Sequence, residues 1–109
     1  MKCSIKFKPG AYNDIEKLPI NIQGECFEML DRLENNLHLG RPLENKYGID
    51  LNGYYKIYFN NAKYRIIYSK TENVVEVKGI SPSINIANIV GIGPRKNFAI
   101  YKTVGNRIS

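Results

Sequence analysis

The stretch that decides the fold of this chain is residues 54–68, Tyr54-Tyr55-Lys56-Ile57-Tyr58-Phe59-Asn60-Asn61-Ala62-Lys63-Tyr64-Arg65-Ile66-Ile67-Tyr68. β-branched and aromatic residues dominate both arms, and residues 60–63 are of types that turns favour, so the segment predicts a β-hairpin. Whether the loop has two or four residues, symmetric closure pairs Tyr58 with Arg65 and Lys56 with Ile67.

The two faces of the predicted hairpin differ in chemistry. Because directly paired residues of antiparallel strands share a face, one face is apolar and aromatic and is expected to pack on a core: Tyr55, Ile57, Phe59, Tyr64, Ile66 and Tyr68. The opposite face carries Tyr54, Lys56, Tyr58 and Arg65. Cations interleaved with phenol rings suit a phosphate backbone with unstacked bases.

Length and charge limit the classes of protein to which this chain can belong. A chain of 109 residues with 43% hydrophobic residues predicts one folded domain spanning residues 1–109. The net charge of +6 is uneven, because residues 1–51 carry −1 and residues 52–109 carry +7. The basic half indicates a polyanionic partner, nucleic acid or an acidic protein, although a solvated basic surface explains the charge equally well.

The location of the protein is expected to be the cytoplasm. No apolar run is long enough to span a membrane, and the N-terminus lacks the apolar stretch of a signal peptide, so we expect no membrane association. Cys3 and Cys26 fit this compartment as reduced, small apolar residues, since their spacing makes neither a disulfide framework nor a zinc site.

The N-terminal half is predicted to contain a strand and a helical hairpin. Alternating apolar residues predict a strand over residues 2–7, and two helices are predicted over 11–18 and 20–39, separated by Pro19. Gly24 lies inside the longer helix, where glycine costs roughly 1 kcal/mol relative to alanine. Either a close helix contact at Gly24 explains it, or the helix starts later.

The remaining elements are predicted to complete an antiparallel meander. Residues 40–42 end the long helix, and residues 43–52 form a loop. After the hairpin we expect a turn at 70–73 and strands at 74–80 and 84–92, which are either separate or one bulged strand. Residues 95–109 form a basic tail with one turn of helix and a short strand or mobile end. The predicted fold class is α+β, an N-terminal strand and helical hairpin packed on the meander, with a short C-terminal helix or tail.

Motifs of common enzyme sites are weak or missing. The stretch Gly91-Ile92-Gly93-Pro94 lacks the third glycine of a dinucleotide fingerprint and the Lys-Ser/Thr of a P-loop, so it indicates a tight turn after the strand. His38 has no ligand partner at a metal-site spacing and is expected to face solvent or cap a helix. Asp14 and the other helical carboxylates are explained by solvation and ion pairs. There is no Ser/His/Asp or Cys/His set, and we expect no cofactor and no metal.

Three sequence elements resemble the RelE/ParE superfamily of toxins from bacterial type II toxin-antitoxin modules. They are Leu51-Asn52-Gly53-Tyr54-Tyr55-Lys56-Ile57, Tyr64-Arg65-Ile66-Ile67-Tyr68, and Ile92-Gly93-Pro94-Arg95 followed by Ile100-Tyr101. The order of predicted elements matches over essentially the whole chain. Arg95 with a tyrosine six residues later is more similar to the RelE branch, which implies a metal-independent, ribosome-dependent mRNA endonuclease that inhibits translation.

The resemblance implies roles for four residues in cleavage by the ribose 2′-hydroxyl. Tyr101 would be the general base or orienting phenol, and Arg95 would stabilise or protonate the leaving oxygen. Lys56 and Arg65 would neutralise charge on the phosphate in the transition state. Because a free phenol titrates near ~10, nearby cations would have to lower the pKa of the base. RNA binding is expected to involve Tyr54, Tyr58, Lys63, Lys96 and Lys102.

The implied partners are a cognate antitoxin, the ribosome and mRNA. The chain departs from the family pattern where Tyr58 replaces a second hairpin lysine, where Asn97 replaces a further arginine, and where Ser81 to Ala87 looks inserted. Two other functions stay open. One is a ParE-like inhibitor of DNA gyrase that cleaves no RNA, and the other is a toxin-like binding protein without catalysis.

Overall fold

The computed structural model describes residues 3–44, 50–74, 83–94 and 99–108. Within these ranges, five strands and three helices follow one another along the chain: β1 (Ser4–Phe7), α1 (Ala11–Glu16), α2 (Ile20–Asn35), β2 (Arg41–Pro42), β3 (Tyr54–Phe59), β4 (Tyr64–Val74), β5 (Ser83–Pro94) and α3 (Ala99–Ile108). The predicted α+β class is confirmed. None of the described helices is both long and apolar enough to cross a bilayer.

A single five-stranded sheet carries the fold, in the order β1-β5-β4-β3-β2. The β1 strand is parallel to β5, and the other neighbours are antiparallel. The predicted hairpin register is confirmed, since Tyr58 pairs with Arg65 and Lys56 pairs with Ile67. The loop has four residues, of which Asn60, Asn61 and Ala62 have positive φ angles of 55°, 54° and 63°. Asparagine tolerates this left-handed backbone better than most residues.

Two cores lie on opposite faces of the sheet. The larger core packs α1 and α2 against one face, and its buried hairpin residues Ile57, Phe59, Ile66 and Tyr68 belong to the face predicted to be apolar. Ile67, next to Ile66 on β4, belongs to the smaller core together with residues of α3. Neighbouring residues of a strand point to opposite faces, so α3 covers the face predicted to bind phosphate.

The helical hairpin is confirmed, but α2 ends at Asn35, four residues before the predicted end at Leu39. Asn36, which has extended backbone angles, breaks the helix, and its N–H bonds to the carbonyl of Leu33. Leu37 is nevertheless fully buried, because the chain beyond the helix folds back onto the larger core. Leu37 is therefore a core residue that lies within the predicted helical range but beyond the observed helix.

Two expectations for the meander are corrected. The turn predicted at residues 70–73 is wrong, because β4 continues to Val74 and pairs with residues 83–87 of β5. The predicted strand at 74–80 begins inside β4, and the rest of it lies outside the described residues. The short strand β2, which pairs with β3, was not predicted. Of the segment that looks inserted, residues 83–87 belong to β5.

The short C-terminal helix of the predicted fold class is confirmed, and its expected length is corrected. The structure has a ten-residue helix, Ala99–Ile108, where one turn of helix and a strand or mobile end were expected. Ile100, Tyr101 and Val104 are buried in the smaller core. Burial of this apolar face stabilises a helix that a basic tail alone would not predict.

Removing the Tyr68 hydroxyl is expected to destabilise the fold. The hydroxyl donates to the carbonyl of Leu37 at 3.0 Å and accepts from the N–H of Gly40 at 2.9 Å, joining β4 to the chain after α2. In Tyr68→Phe both backbone groups lose their partner, so the free energy of unfolding should fall by about 1–3 kcal/mol. Urea denaturation measures this change. An unchanged midpoint would show that the two hydrogen bonds contribute nothing.

Burial of Cys26 predicts a loss of stability at alkaline pH. Burial raises the pKa of this thiol from 9.0 to about 12, so the folded state holds its proton more tightly than the unfolded state. The resulting stability is fully present below pH 9 and is lost as pH rises towards 12. The pKa of Tyr68 is raised by burial in the same direction. Cys26→Ala should reduce the slope of unfolding free energy against pH in this window, by up to about 1.4 kcal/mol per pH unit. An identical slope would contradict the assignment.

Candidate functional site

Arg65 lies between two tyrosine rings on the sheet face covered by α3. Its guanidinium carbon is 4.7 Å from the ring centroid of Tyr58 on β3 and 4.9 Å from that of Tyr101 on α3. Tyr58 is the direct cross-strand partner of Arg65. A planar guanidinium is favourable against aromatic faces, so the two rings fix the orientation of a cation that is only 4% exposed.

Lys56 extends this arrangement along β3. Its ammonium nitrogen is 5.2 Å from the Tyr58 ring centroid, so that ring contacts both Lys56 and Arg65. Lys56 and Tyr58 are both partly exposed, whereas Arg65 and Tyr101 are buried. We call Lys56, Tyr58, Arg65 and Tyr101 the cation–tyrosine cluster. The structure therefore brings together three of the four predicted catalytic residues and one of those predicted to bind RNA.

Tyr101 is placed differently from an exposed catalytic phenol. It is 1% exposed, and its hydroxyl has no hydrogen-bond partner among the described residues. Its ring belongs to the smaller core together with Ile67 and Val104. With α3 in this position, the ring of Tyr101 can orient Arg65, but its hydroxyl has no route to a bound ribose.

The other predicted site residues are more dispersed. Lys63 lies exposed in the β3–β4 loop, and Lys102 is exposed on α3, next to the buried Tyr101. Tyr54 is partly buried and lines a cleft of about 480 Å³ together with Lys8 and Arg107. Arg95 and Lys96 lie outside the described residues, as does Asn97.

Comparisons with solved structures assign the fold. The chain matches the RelBE2 toxin-antitoxin complex from Mycobacterium tuberculosis with a TM-score of 0.60 and 21% identity, over 87% of this chain and 100% of that chain. It matches a double arginine-to-alanine mutant of the Escherichia coli toxin RelE in the free state, with a TM-score of 0.63 and 17% identity over 100% of both chains. The chain has a RelE-like fold. The isolated E. coli RelE toxin gives a TM-score of 0.59 and 17% identity, over 98% of this chain and 99% of that one. No family model and no curated protein sequence matches the chain.

An ion pair missed by the sequence analysis holds α3 on this RelE-like fold. Arg107 donates to both carboxylate oxygens of Asp14 on α1, at 2.7 and 2.9 Å, and to the carbonyl of Val90 at 2.9 Å. Asp14 also accepts from the N–H of Ile92 at 3.0 Å. The hydrogen bond to Asp14 raises the pKa of Arg107. The ion pair expected for this helical carboxylate is confirmed, but Asp14 is 8% exposed, so the expected solvation is wrong.

The close approach of α3 to the sheet depends on Gly91. A β-carbon there would lie 2.7 Å from a methyl carbon of Val104 and 3.2 Å from one of Ile100, so any side chain would push α3 away. The tight turn expected at residues 91–94 of this RelE-like fold is wrong, because β5 continues to Pro94. The sequence did contain a signal for this close approach, because a glycine inside a strand often marks a place where another element comes near the backbone.

His38 is exposed, and its Nδ1 lies 2.8 Å from the ammonium nitrogen of Lys70. Lys70 also lies 4.0 Å from the ring centroid of Tyr55, on the sheet face of this RelE-like fold that packs against α1 and α2. In the described ranges, no three His, Cys, Asp or Glu side chains are grouped as a metal site would require. His38 is therefore remote from the cation–tyrosine cluster.

Proposed function

We propose that this protein is the toxin of a type II toxin-antitoxin module and acts as a ribosome-dependent mRNA endonuclease. The observation that carries the proposal is the cation–tyrosine cluster, in which the paired strands of the hairpin hold Lys56 and Arg65 around one tyrosine ring. The RelE-like fold supports the same function. Fixed positive charge beside an aromatic surface is suited to a phosphate next to an unpaired base.

The chemistry follows from the charges that develop during cleavage. Attack of a ribose 2′-hydroxyl on the adjacent phosphorus forms a pentacoordinate phosphorane and then expels the 5′-oxygen, leaving a 2′,3′-cyclic phosphate. Lys56 and Arg65 stabilise the added negative charge on the phosphorane oxygens. Because the Tyr58 ring lies on the paired strand β3 and not on α3, it orients Arg65 before the charge develops, which limits the reorganisation that is needed.

Proton transfer is assigned to the C-terminal residues. In the proposal Tyr101, as its phenolate, accepts the proton of the 2′-hydroxyl, and Arg95 donates a proton to the departing 5′-oxygen or stabilises its charge. A general base must come within hydrogen-bonding distance of the proton that it accepts. Since Tyr101 on α3 is 1% exposed and Arg65 on the face that α3 covers is 4% exposed, contact of either with the substrate requires α3 to move when the substrate binds. Tyr58 is partly exposed beside both cations and supplies the surface on which a base stacks.

A cognate antitoxin is the proposed protein partner. One of the structural neighbours is a toxin-antitoxin complex. Residues 52–109 carry a net charge of +7, so an acidic amphipathic segment has the complementary charge. The cytoplasm, where the ribosome and mRNA are available, is the proposed location.

Pulse labelling of protein and DNA synthesis after induced expression tests the proposed function. Incorporation of amino acids should stop within minutes while DNA synthesis continues, because the proposed target is translated mRNA. Co-expression of a neighbouring antitoxin gene should restore growth. Early loss of DNA synthesis with continued translation would instead support gyrase inhibition. Undisturbed growth would support a binding protein without toxicity.

A further inference from the structure

The outer face of α2 carries an apolar stripe that the described part of the chain leaves exposed. Ile20 is 85% exposed and Phe27 is 41% exposed, although both are large hydrophobic residues. They are seven residues apart, so they lie on the same side of a helix. Gly24 lies between them on that side. The buried residues of α2, such as Ile22 and Leu33, lie on the opposite side.

Gly24 has no role within its own fold. The helix starts at Ile20, so Gly24 is helical, and apart from the neighbouring residues and backbone of α2 itself, no described atom lies within 4 Å of the position that its β-carbon would take. Its backbone conformation does not require glycine either, since the residue is not among those with positive φ. Of the two explanations that the sequence leaves open, a later helix start is therefore wrong. The close helix contact that was the other explanation is not found among the described residues either, so any close contact at Gly24 has to come from another molecule.

We infer that α2 pairs with α2 of a second copy of this chain, antiparallel and across a two-fold axis near Gly24. In this arrangement the Phe27 ring of one copy packs into the space over Gly24 of the other, bordered by Ile20. The two-fold axis repeats the same contact in reverse, as a closed dimer interface requires. An aromatic residue over a glycine, beside a branched aliphatic residue, gives each helix a knob and a matching hole.

Charge along α2 supports the antiparallel direction and a second copy as the occupant. The first turn of α2 has no acidic residue and no capping side chain, whereas its second half carries the three carboxylates of Glu28, Asp31 and Glu34 against one cation, Arg32. Antiparallel pairing brings these carboxylates near the positive end of the partner helix, where negative charge is favourable. Parallel pairing would place them beside the same acidic residues of the partner. The contact surface is thus complementary to itself.

The size of the surface sets the expected strength. One 16-residue helix from each copy forms an interface at the small end of the range for specific complexes. The dimer should therefore dissociate on dilution. It leaves free the opposite sheet face with the cation–tyrosine cluster, and it does not depend on the proposed function.

Sedimentation equilibrium of the full chain, from low to high micromolar concentration, tests this inference. The mass should rise from 12.5 kDa for one chain to twice that value. Phe27→Glu should raise the dissociation constant at least tenfold. The matched control is Leu39→Gln, which changes another exposed apolar residue, 38% exposed, beyond the end of α2 and should leave the dimer intact.

Gly24→Ala separates dimerisation from folding. Alanine has the higher helix propensity and meets no described atom, so the melting temperature at low protein concentration should rise. The same methyl group fills the space for the partner's ring, so the dissociation constant should also rise. A monomer at every concentration, a dimer that Phe27→Glu does not weaken, or a Gly24→Ala dimer as tight as the wild type would overturn the inference.

Discussion

Replacing Arg65 with alanine is expected to abolish growth arrest on induction and to slow mRNA cleavage by on the order of a hundredfold or more. Removal of a single preoriented group that stabilises transition-state charge typically has this effect. Arg65 is the best oriented cation of the cluster, with tyrosine rings 4.7 and 4.9 Å from its guanidinium carbon. Cleavage rates on programmed ribosomes at saturating protein measure the effect.

Because Arg65 is buried, its replacement also removes packing, and the control must separate the two effects. Arg65→Lys keeps the charge but loses the planar group that stacks on Tyr58 and Tyr101, so partial activity is expected from a chain with near-normal stability. Arg32→Ala removes an exposed cation from α2, on the other side of the sheet, and should leave cleavage unchanged. If folded Arg65→Ala cleaves as fast as the wild type, the cation–tyrosine cluster is not the site.

Loss of the Asp14 carboxylate is expected to lower the free energy of unfolding by about 2–4 kcal/mol, less than for a fully buried pair because the Arg107 side chain is 24% exposed. Removing one partner of a buried ion pair leaves the other charge without compensation. In Asp14→Ala, Arg107 loses both of its carboxylate contacts, and the N–H of Ile92 loses its acceptor. Guanidinium chloride denaturation measures the free energy of unfolding.

The effect should be concentrated on α3. Arg107 lies in the last turn of that helix, and its contacts with Asp14 and Val90 tie the helix to α1 and β5. Amide exchange of residues 99–108 should therefore accelerate in Asp14→Ala more than exchange in α2. Glu16→Ala, an exposed position on the same helix as Asp14, is the matched control and should change stability by less than about 0.5 kcal/mol. Equal effects of the two substitutions would show that the ion pair does not hold α3.

The hairpin was predictable because its information is local. Alternation of apolar and polar residues assigns the faces, and closure of a short loop assigns the register, so the pairing of Tyr58 with Arg65 follows from adjacent residues. The polar run Lys70-Thr71-Glu72-Asn73 was wrongly predicted as a turn, because its conformation is set by residues distant in sequence. It resembles a turn by composition, but cross-strand pairing with β5 keeps it extended.

The C-terminal half of the site depends on contacts that are distant in sequence. Asp14 and Arg107 are 93 residues apart, and neither has a local pattern that indicates the other. The burial of Tyr101 could in part have been predicted from the sequence, because Ile100, Tyr101 and Val104 have the spacing of one helical face. The basic composition of the tail concealed that spacing. Neither explanation offered for Gly24 holds among the described residues, because α2 starts at Ile20 and no other element comes close to Gly24.

Mapping of mRNA ends on ribosomes stalled with the purified chain tests the central proposal most directly. The account predicts cuts within the codon in the ribosomal A site, with a 2′,3′-cyclic phosphate on the upstream fragment, and their loss in Arg65→Ala. The same mRNA without ribosomes should be cut far more slowly. Intact mRNA on ribosomes exposed to the wild-type chain, or equal cleavage by Arg65→Ala, would contradict it.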